Sequence, residues 1–299
     1  MTLTAFLLIL ASVFLHAGWN FLSKKSTPCA AFYLIANFIG AAVFLGFALV
    51  SGVPWTGLSA RFWWFFLAGQ FFEICYFVGL ANGYRAGDIS LVYPLGRALP
   101  VLLTAAVAIA AGLGEAPSTA ACLGMVVIFV GCILMPVGRL RDLSWRTYAN
   151  RLLGYILLIA AGTTGYTVFD KLAMQELQMT AARSDMWRSL FYIFMVEAGV
   201  AVSLAFMVAA SKAERAEFRK LYRRDLQPYV AGVFISLAYG LVLLAMCHVT
   251  NVSFVQAFRQ MSLPLGVLAG ILFLKESCTA GKIAGTALIV GGLIAVAFG

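Results

Sequence analysis

The chain has 299 residues, of which 63% are hydrophobic, 14% aromatic and 11% charged, with a mean hydropathy of +0.95. Soluble domains carry roughly 25% charged residues, and disorder requires low hydrophobicity with high charge, so both classes are excluded. The net charge of +9 does not make this a nucleic-acid binder, because a polytopic membrane protein also collects Lys and Arg in its cytoplasmic loops.

A bilayer core asks for ~20 apolar residues per helix, and the chain offers ten such runs: 3–23, 30–50, 61–81, 89–112, 118–137, 152–171, 184–210, 228–248, 252–274 and 279–298. The first run lacks a charged leading region and a small-residue cleavage site, and Lys24 and Lys25 follow it directly, so it reads as a true span and not a signal peptide. The two longest polar connections, 138–151 and 211–227, are too short to be domains. The expected organisation is a first five-helix unit over 1–137, a basic cytoplasmic linker over 138–151 and a second five-helix unit over 152–299.

Ten spans put both termini on one side. Fifteen Lys and Arg fall in loops on the opposite side, the densest group running from Lys212 to Arg224, whereas only Arg61, Lys171, Arg183 and Arg188 fall on the terminal side. The positive-inside rule therefore places both termini outside. Trp55, Trp63, Trp64, Trp145 and Trp187 sit near the ends of runs, as an aromatic belt requires.

The two halves echo each other. Gly112-Leu113-Gly114-Glu115 leads into Gly124 and Gly131, and Phe273-Leu274-Lys275-Glu276 leads into Gly285 and Gly292; the Glu and the two Gly share one offset of 161. Asp88-Ile89-Ser90 matches Asn251-Val252-Ser253, and Leu99-Pro100 and Leu263-Pro264 are expected to break the fourth and ninth spans at similar depth. Trp19-Asn20 with Lys24 is echoed by Tyr166-Thr167 with Lys171. Five spans per unit is an odd number, so the second unit enters the membrane upside down, and inverted repeats around a midplane site mark secondary transporters.

These residues resemble the drug/metabolite transporter superfamily, in its ten-helix EamA branch. The carriers are Trp19-Asn20 with Lys24, and the Gly114-Glu115, Gly124, Gly131 series with its echo at Glu276, Gly285 and Gly292. The resemblance covers essentially the whole chain. It implies an all-α integral membrane fold of two inverted five-helix repeats around a central cavity, lined by the first, third and fourth helices of each repeat, with the fifth helices at the side. Relatives of known topology usually keep both termini in the cytoplasm, and the Lys/Arg count here says the reverse. The small four-helix relatives couple to protons through a Glu in the first helix, and the first helix here holds no acid.

Charged side chains inside a span cost ~2.5–3.5 kcal/mol on insertion scales, which makes them functional candidates. Arg97 lies within the fourth span on a face shared with Tyr93, and Arg259 within the ninth beside Gln256 and Gln260. Each guanidinium either meets an anionic ligand through its planar fork or pairs with an intramembrane acid and fixes packing. Glu73 falls in mid-span in the third helix, as a proton site, an Arg partner or a contact for an amine. His16 and Asn20 form a polar stripe with Ser12 on the first helix; Glu73 and His16 are the candidates for coupling. Tyr76, Tyr166 and Tyr239 are candidate cavity walls. Glu197, in a helix that the resemblance makes peripheral, reads as structural, and Asp170 and Lys171 as solvated near an interface. Gly281-x-x-x-Gly285 reads as helix packing, within or between protomers.

The six cysteines show no Cys-x-x-Cys spacing, and His16 and His248 stand far apart, so neither a metal nor a cofactor is expected. Enzyme motifs and a phosphate-binding Gly-Lys-Ser/Thr loop are missing. The resulting expectation is not an enzyme but a secondary transporter of a small carboxylate, phosphate or phosphonate across a plasma (bacterial inner) membrane. Its partners would be the substrate, membrane lipids and a proton or counter-substrate, with no nucleic acid, as a monomer or homodimer. The alternatives are an amino-acid or drug exporter, a flippase of a lipid-linked anion and, outside transport, a membrane receptor or scaffold.

Overall fold

A computed structural model of the chain describes residues 2–86, 89–137, 151–180, 184–275 and 277–299, and every regular element among them is helical. In chain order these are α1 (Leu3–Lys25), α2 (Ala30–Leu49), α3 (Ala60–Ala86), α4 (Ile89–Ala110), α5 (Thr119–Leu134), α6 (Arg151–Gln178), α7 (Asp185–Ala210), α8 (Lys212–Arg224), α9 (Gln227–Met246), α10 (Val252–Phe258), α11 (Ser262–Leu274) and α12 (Ala280–Phe298), with a 3-10 turn at Arg259–Met261. Eight of them, α1–α4, α6, α7, α9 and α12, are long and apolar enough to cross a membrane; α5 is apolar but shorter. The chain is thus an all-helical protein with the character of a multi-pass membrane protein. The expected linker, with Arg139, Arg141, Arg146 and Trp145, lies outside the described residues apart from Arg151, as do Asp88, Arg183 and Glu276.

Short polar residues start these helices by accepting bonds from the otherwise orphaned first-turn N–H groups. Thr2 accepts from Ala5 N, Ser118 from Ala121 N and Thr279 from Lys282 N, opening α1, α5 and α12. Asn251 opens α10 by accepting from Ser253 N, and its amide donates to the Glu115 carbonyl at 3.1 Å, tying the α4–α5 turn to the α9–α10 turn.

The expected pair of proline breaks is only half present. The helix α4 runs without interruption through Pro94 and Pro100. The ninth run does break, but at Arg259–Met261, ahead of Pro264. The reason is local: a proline ring crowds the carbonyl four residues earlier and donates no N–H, and that carbonyl belongs to Gln260, inside the turn. Two further expectations are corrected at α6. It extends past the expected end at 171 to Gln178, and Asp170 is not solvated but wholly buried. Lys171 is half-buried and donates to the Met246 and Val249 carbonyls at 2.5 and 3.3 Å, placing its charge where α9 ends with unpaired carbonyls. Lys171→Met should therefore lower the free energy of unfolding by about 1–2 kcal/mol, read as a lower melting temperature in detergent; an unchanged melting temperature would mean that water serves those carbonyls equally well.

Helix pairs pack closely: α3 on α6, α1 on α9, α2 on α7, α5 on α12, and α4 on both α6 and α10. The contact of α5 with α12 is made backbone to backbone. A methyl group added at Gly292 would stand 2.6 Å from the Gly124 carbonyl oxygen, and one at Gly285 2.6 Å from that of Gly131. The Gly281-x-x-x-Gly285 motif is thus used within one protomer, Gly281 lying against the Leu134 and Val137 carbonyls. Large apolar side chains such as Phe38, Phe71 and Phe206 point outward, as lipid contact requires.

Candidate functional site

Where α1, α3, α4, α6, α7, α9 and the α10–α11 turn converge, the interior turns polar. The turn at Arg259–Met261 is the pivot. By leaving the α-helical ladder it exposes the Arg259 carbonyl, which accepts from Ser262 Oγ at 2.9 Å and from Arg97 Nη2 at 3.2 Å. The turn ahead of Pro264 thereby brings an acceptor on one helix to a cation on another.

Arg97 is 1% exposed. Besides that carbonyl, its Nε donates to Gln260 Oε1 at 3.4 Å, its Nη1 lies 2.9 Å from His16 Nε2, and its guanidinium stands 5.8 Å from the centre of the Tyr93 ring. Asn20 Nδ2 donates to the Tyr93 hydroxyl at 3.0 Å and to the His16 carbonyl at 2.6 Å. His16 meets the Trp19 indole N–H at Nδ1, 3.2 Å away, and Arg97 at Nε2. Both ring nitrogens thus face N–H donors. A neutral imidazole offers one acceptor, so in either tautomer it accepts from only one of these two neighbours, and an imidazolium accepts from neither.

Arg259 is 3% exposed. Its Nη2 donates to the Tyr166 hydroxyl at 3.3 Å, and its guanidinium lies 5.9 and 5.6 Å from the ring centres of Tyr166 and Tyr239, within cation–π range. Its Nε and Nη1 are buried and have no hydrogen-bond partner among the described residues. Among those residues, no carboxylate lies within ion-pair distance of either Arg97 or Arg259. The sequence left open whether these arginines pair with acids; both are instead held by neutral dipoles and aromatic faces.

Arg259 forms part of the wall of a small cavity with His16, Trp19, Asn37, Glu73, Tyr76, Phe77, Tyr166, Val196, Glu197, Ile235 and Tyr239. The rings of Tyr76, Tyr166 and Tyr239 meet edge to face in sequence, with centres 5.7 and 5.6 Å apart. The interior, about 30 Å³, has room for no more than a water or two. Glu73 is buried and makes no hydrogen bond to the described residues, so its carboxyl faces this space.

The structure therefore gathers His16, Glu73, Tyr76, Tyr166, Tyr239 and Arg259 around one cavity, with Asn20, Tyr93, Arg97 and Gln260 as the adjoining network. Gln256 stands apart: it is buried, its amide has no partner among the described residues, and only its carbonyl is engaged, by Gln260 Nε2 at 3.0 Å. Sequence reasoning missed three members. Glu197, expected on a peripheral helix, lines the cavity. Asn37 does too, and its polarity within an apolar run was the available signal. Asp170, 0% exposed, accepts from the Tyr192 hydroxyl at 2.8 Å and from the Tyr239 hydroxyl, fixing one cavity wall from behind.

No family model and no curated protein matches the chain. Among solved structures 28 chains match. One, described only as "Crystal structure of protein", is similar over 100% of this chain and 98% of its own, with a TM-score of 0.74 and 14% identity. At that identity the likeness is one of fold, and it extends over the whole helical arrangement.

Proposed function

We propose that the chain is a ten-span secondary transporter of the EamA type in the drug/metabolite transporter superfamily, moving a small anionic metabolite across a plasma membrane by alternating access. The observation that carries this reading is the Arg259 guanidinium: a buried cation that, among the described residues, has no carboxylate within ion-pair distance and keeps two N–H donors unpaired, at the wall of a cavity. A carboxylate, phosphate or phosphonate supplies what that fork lacks, a charge and two acceptors. The cavity is smaller than any such ligand, so binding requires the helices around it to part. A rocking pair of repeats provides that motion.

The two inverted repeats of the proposal, 1–137 and 152–299, are supported by reciprocal contacts of the kind a twofold relation demands. The third helix of the first half packs on the first of the second, α3 on α6, and the first of the first half on the third of the second, α1 on α9. Second, fourth and fifth helices meet their own counterparts. Single residues follow the same rule. Gly18 faces Phe234 of α9, and Gly165 faces Phe72 of α3. Ser23 and Tyr33 share a hydrogen bond of 3.2 Å, and Asp170 and Tyr192 share one of 2.8 Å. Gly114, at φ +92°, has its counterpart in Lys275, at φ +54°, a left-handed conformation uncommon outside glycine.

The test is a ligand-induced thermal-shift panel of small anions, zwitterions and cations on the purified protein. An anion at ~100 times its dissociation constant adds ~2.7 kcal/mol of stability. Stabilisation confined to anions supports the proposal; stabilisation by cations alone contradicts it. A second reading has its own observation: Glu73 and Glu197 share the cavity with Arg259, an arrangement with both signs of charge for a zwitterion such as an amino acid. Stabilisation by zwitterions above all other classes would select it. Proton coupling falls to Glu73, whose carboxyl faces the cavity, and to His16, whose ring a second proton would leave with no acceptor for Trp19 or Arg97.

Both termini are placed outside by the positive charge on the opposite loops. A periplasmic reporter enzyme fused after Gly299 should be active; an inactive one, with a fluorescent cytoplasmic reporter lit at the same position, would reverse the orientation.

A further inference from the structure

The helix α8, between α7 and α9, is too short and too charged to span a membrane. It carries six basic and two acidic residues over Lys212–Arg224. Its two buried side chains tie it to the rest of the protein. Glu214 accepts from Ala31 N at 2.9 Å, at the start of α2, and pairs with Arg85 at the end of α3; Leu221 is buried about two turns further on. Just past the helix, Asp225 accepts from Ser26 Oγ, at the end of α1. Eleven residues at 1.5 Å each separate Glu214 from Asp225, about 16 Å. Both ends of α8 therefore touch helix termini of the bundle, and α8 lies flat across that end.

The face opposite Glu214 and Leu221 bears Lys212, Arg219 and Arg223, all exposed. Among the described residues no carboxylate lies within ion-pair distance of these three or of Arg224. On the flank stand two apolar groups that a water-facing loop would not present, Tyr222, 60% exposed, and Leu226, 78% exposed. The Tyr222 ring stacks on Phe218 at 5.8 Å, and its carbonyl accepts from the Tyr229 hydroxyl at 2.9 Å, which fixes it against the start of α9. A flat helix with an unpaired basic face and an aromatic flank, at the end of a membrane bundle, has the composition of an interfacial helix. The partner that complements both features at once is a lipid, whose headgroup phosphate meets the arginines and whose acyl boundary meets the tyrosine.

We propose that α8 is a docking helix for anionic phospholipids, with Arg219 and Arg223 on the headgroup phosphate, Arg224 adding to the local field, and Tyr222 and Leu226 at the acyl boundary. Glu214 links that contact to the ends of α2 and α3.

The experiment is native mass spectrometry of the full chain offered phosphatidylglycerol and phosphatidylcholine in equal amounts. Each basic residue near an anionic surface is worth about fivefold in affinity. The protein should retain phosphatidylglycerol, and the triple variant Arg219→Gln, Arg223→Gln, Arg224→Gln should lose at least tenfold of that preference. The matching Arg→Lys triple should keep most of it. Raising the salt should weaken the preference of the unaltered protein, a measurement that needs no variant to fold. An unchanged preference in the Gln triple would overturn the proposal. So would an equal loss in Lys275→Gln, an exposed charge in another loop. Displacement of the lipid by inorganic phosphate at equal concentration would overturn it too, since the site would then read phosphate and not a membrane.

Discussion

Arg259→Gln should abolish anion binding while leaving the ligand-free protein no less stable than before. Among the described residues the guanidinium makes one hydrogen bond, at 3.3 Å to Tyr166, and keeps Nε and Nη1 unpaired. Removing it takes away the charge that an anion would use, at about 3 kcal/mol, or roughly 100-fold in affinity. It also relieves the protein of a buried cation that, among the described residues, has no carboxylate within ion-pair distance, a group that is costly to keep out of water. The two effects have opposite signs, and this separates a ligand-binding arginine from a structural one: a structural arginine would lower the melting temperature of the ligand-free protein when replaced. Arg97→Gln should behave differently. Arg97 already spends its donors on His16, Gln260 and the Arg259 carbonyl, so its loss should loosen the α10–α11 turn and weaken anion binding about tenfold, with a lower melting temperature. Ligand-induced thermal shifts on the two variants, with and without the best anion, make the comparison.

Gly292→Val should cost about 3 kcal/mol, whereas Gly291→Val next to it should cost almost nothing. A methyl group at Gly292 would stand 2.6 Å from the Gly124 carbonyl oxygen and 2.7 Å from Ile128 Cγ1, and the first of these is backbone and cannot rotate away. A methyl group at Gly291 meets nothing within 4 Å. Overpacking of this kind costs ~1–3 kcal/mol, more where the neighbour cannot yield. The two variants change composition identically and differ only in the face that carries the change. Melting in detergent reads the difference, and equal melting temperatures would show that α5 and α12 do not pack through these glycines.

How much of this was legible in the sequence depends on the range of the interaction. The helical, membrane-type fold was, because composition and run length act locally. The interior position of Arg97, Glu73 and Arg259 was legible from their places within apolar runs. Their relation to one another was not. The Arg97–Arg259 contact exists because the chain turns at Arg259–Met261, ahead of Pro264, and sets the Arg259 carbonyl where α4 faces it, and periodicity carries no trace of that. The same holds for Asp170 and Lys171. Adjacent in sequence near the expected end of a span, they read as one solvated pair, yet Asp170 is directed inward to Tyr192 and Tyr239, and Lys171 to carbonyls more than seventy residues away. Glu197 was set aside through an argument about which helices line the cavity, although its own chemistry, an acid centred in an apolar helix, pointed to the interior.

The most direct measurement is counterflow in proteoliposomes: vesicles loaded with the anion that stabilises the protein best, diluted into a trace of the same anion carrying a radiolabel. A transporter with an alternating site should accumulate label transiently and saturably, and the Arg259→Gln protein should not. Label that binds but never enters the vesicles, with saturable binding intact, would contradict transport and leave a membrane receptor for that anion.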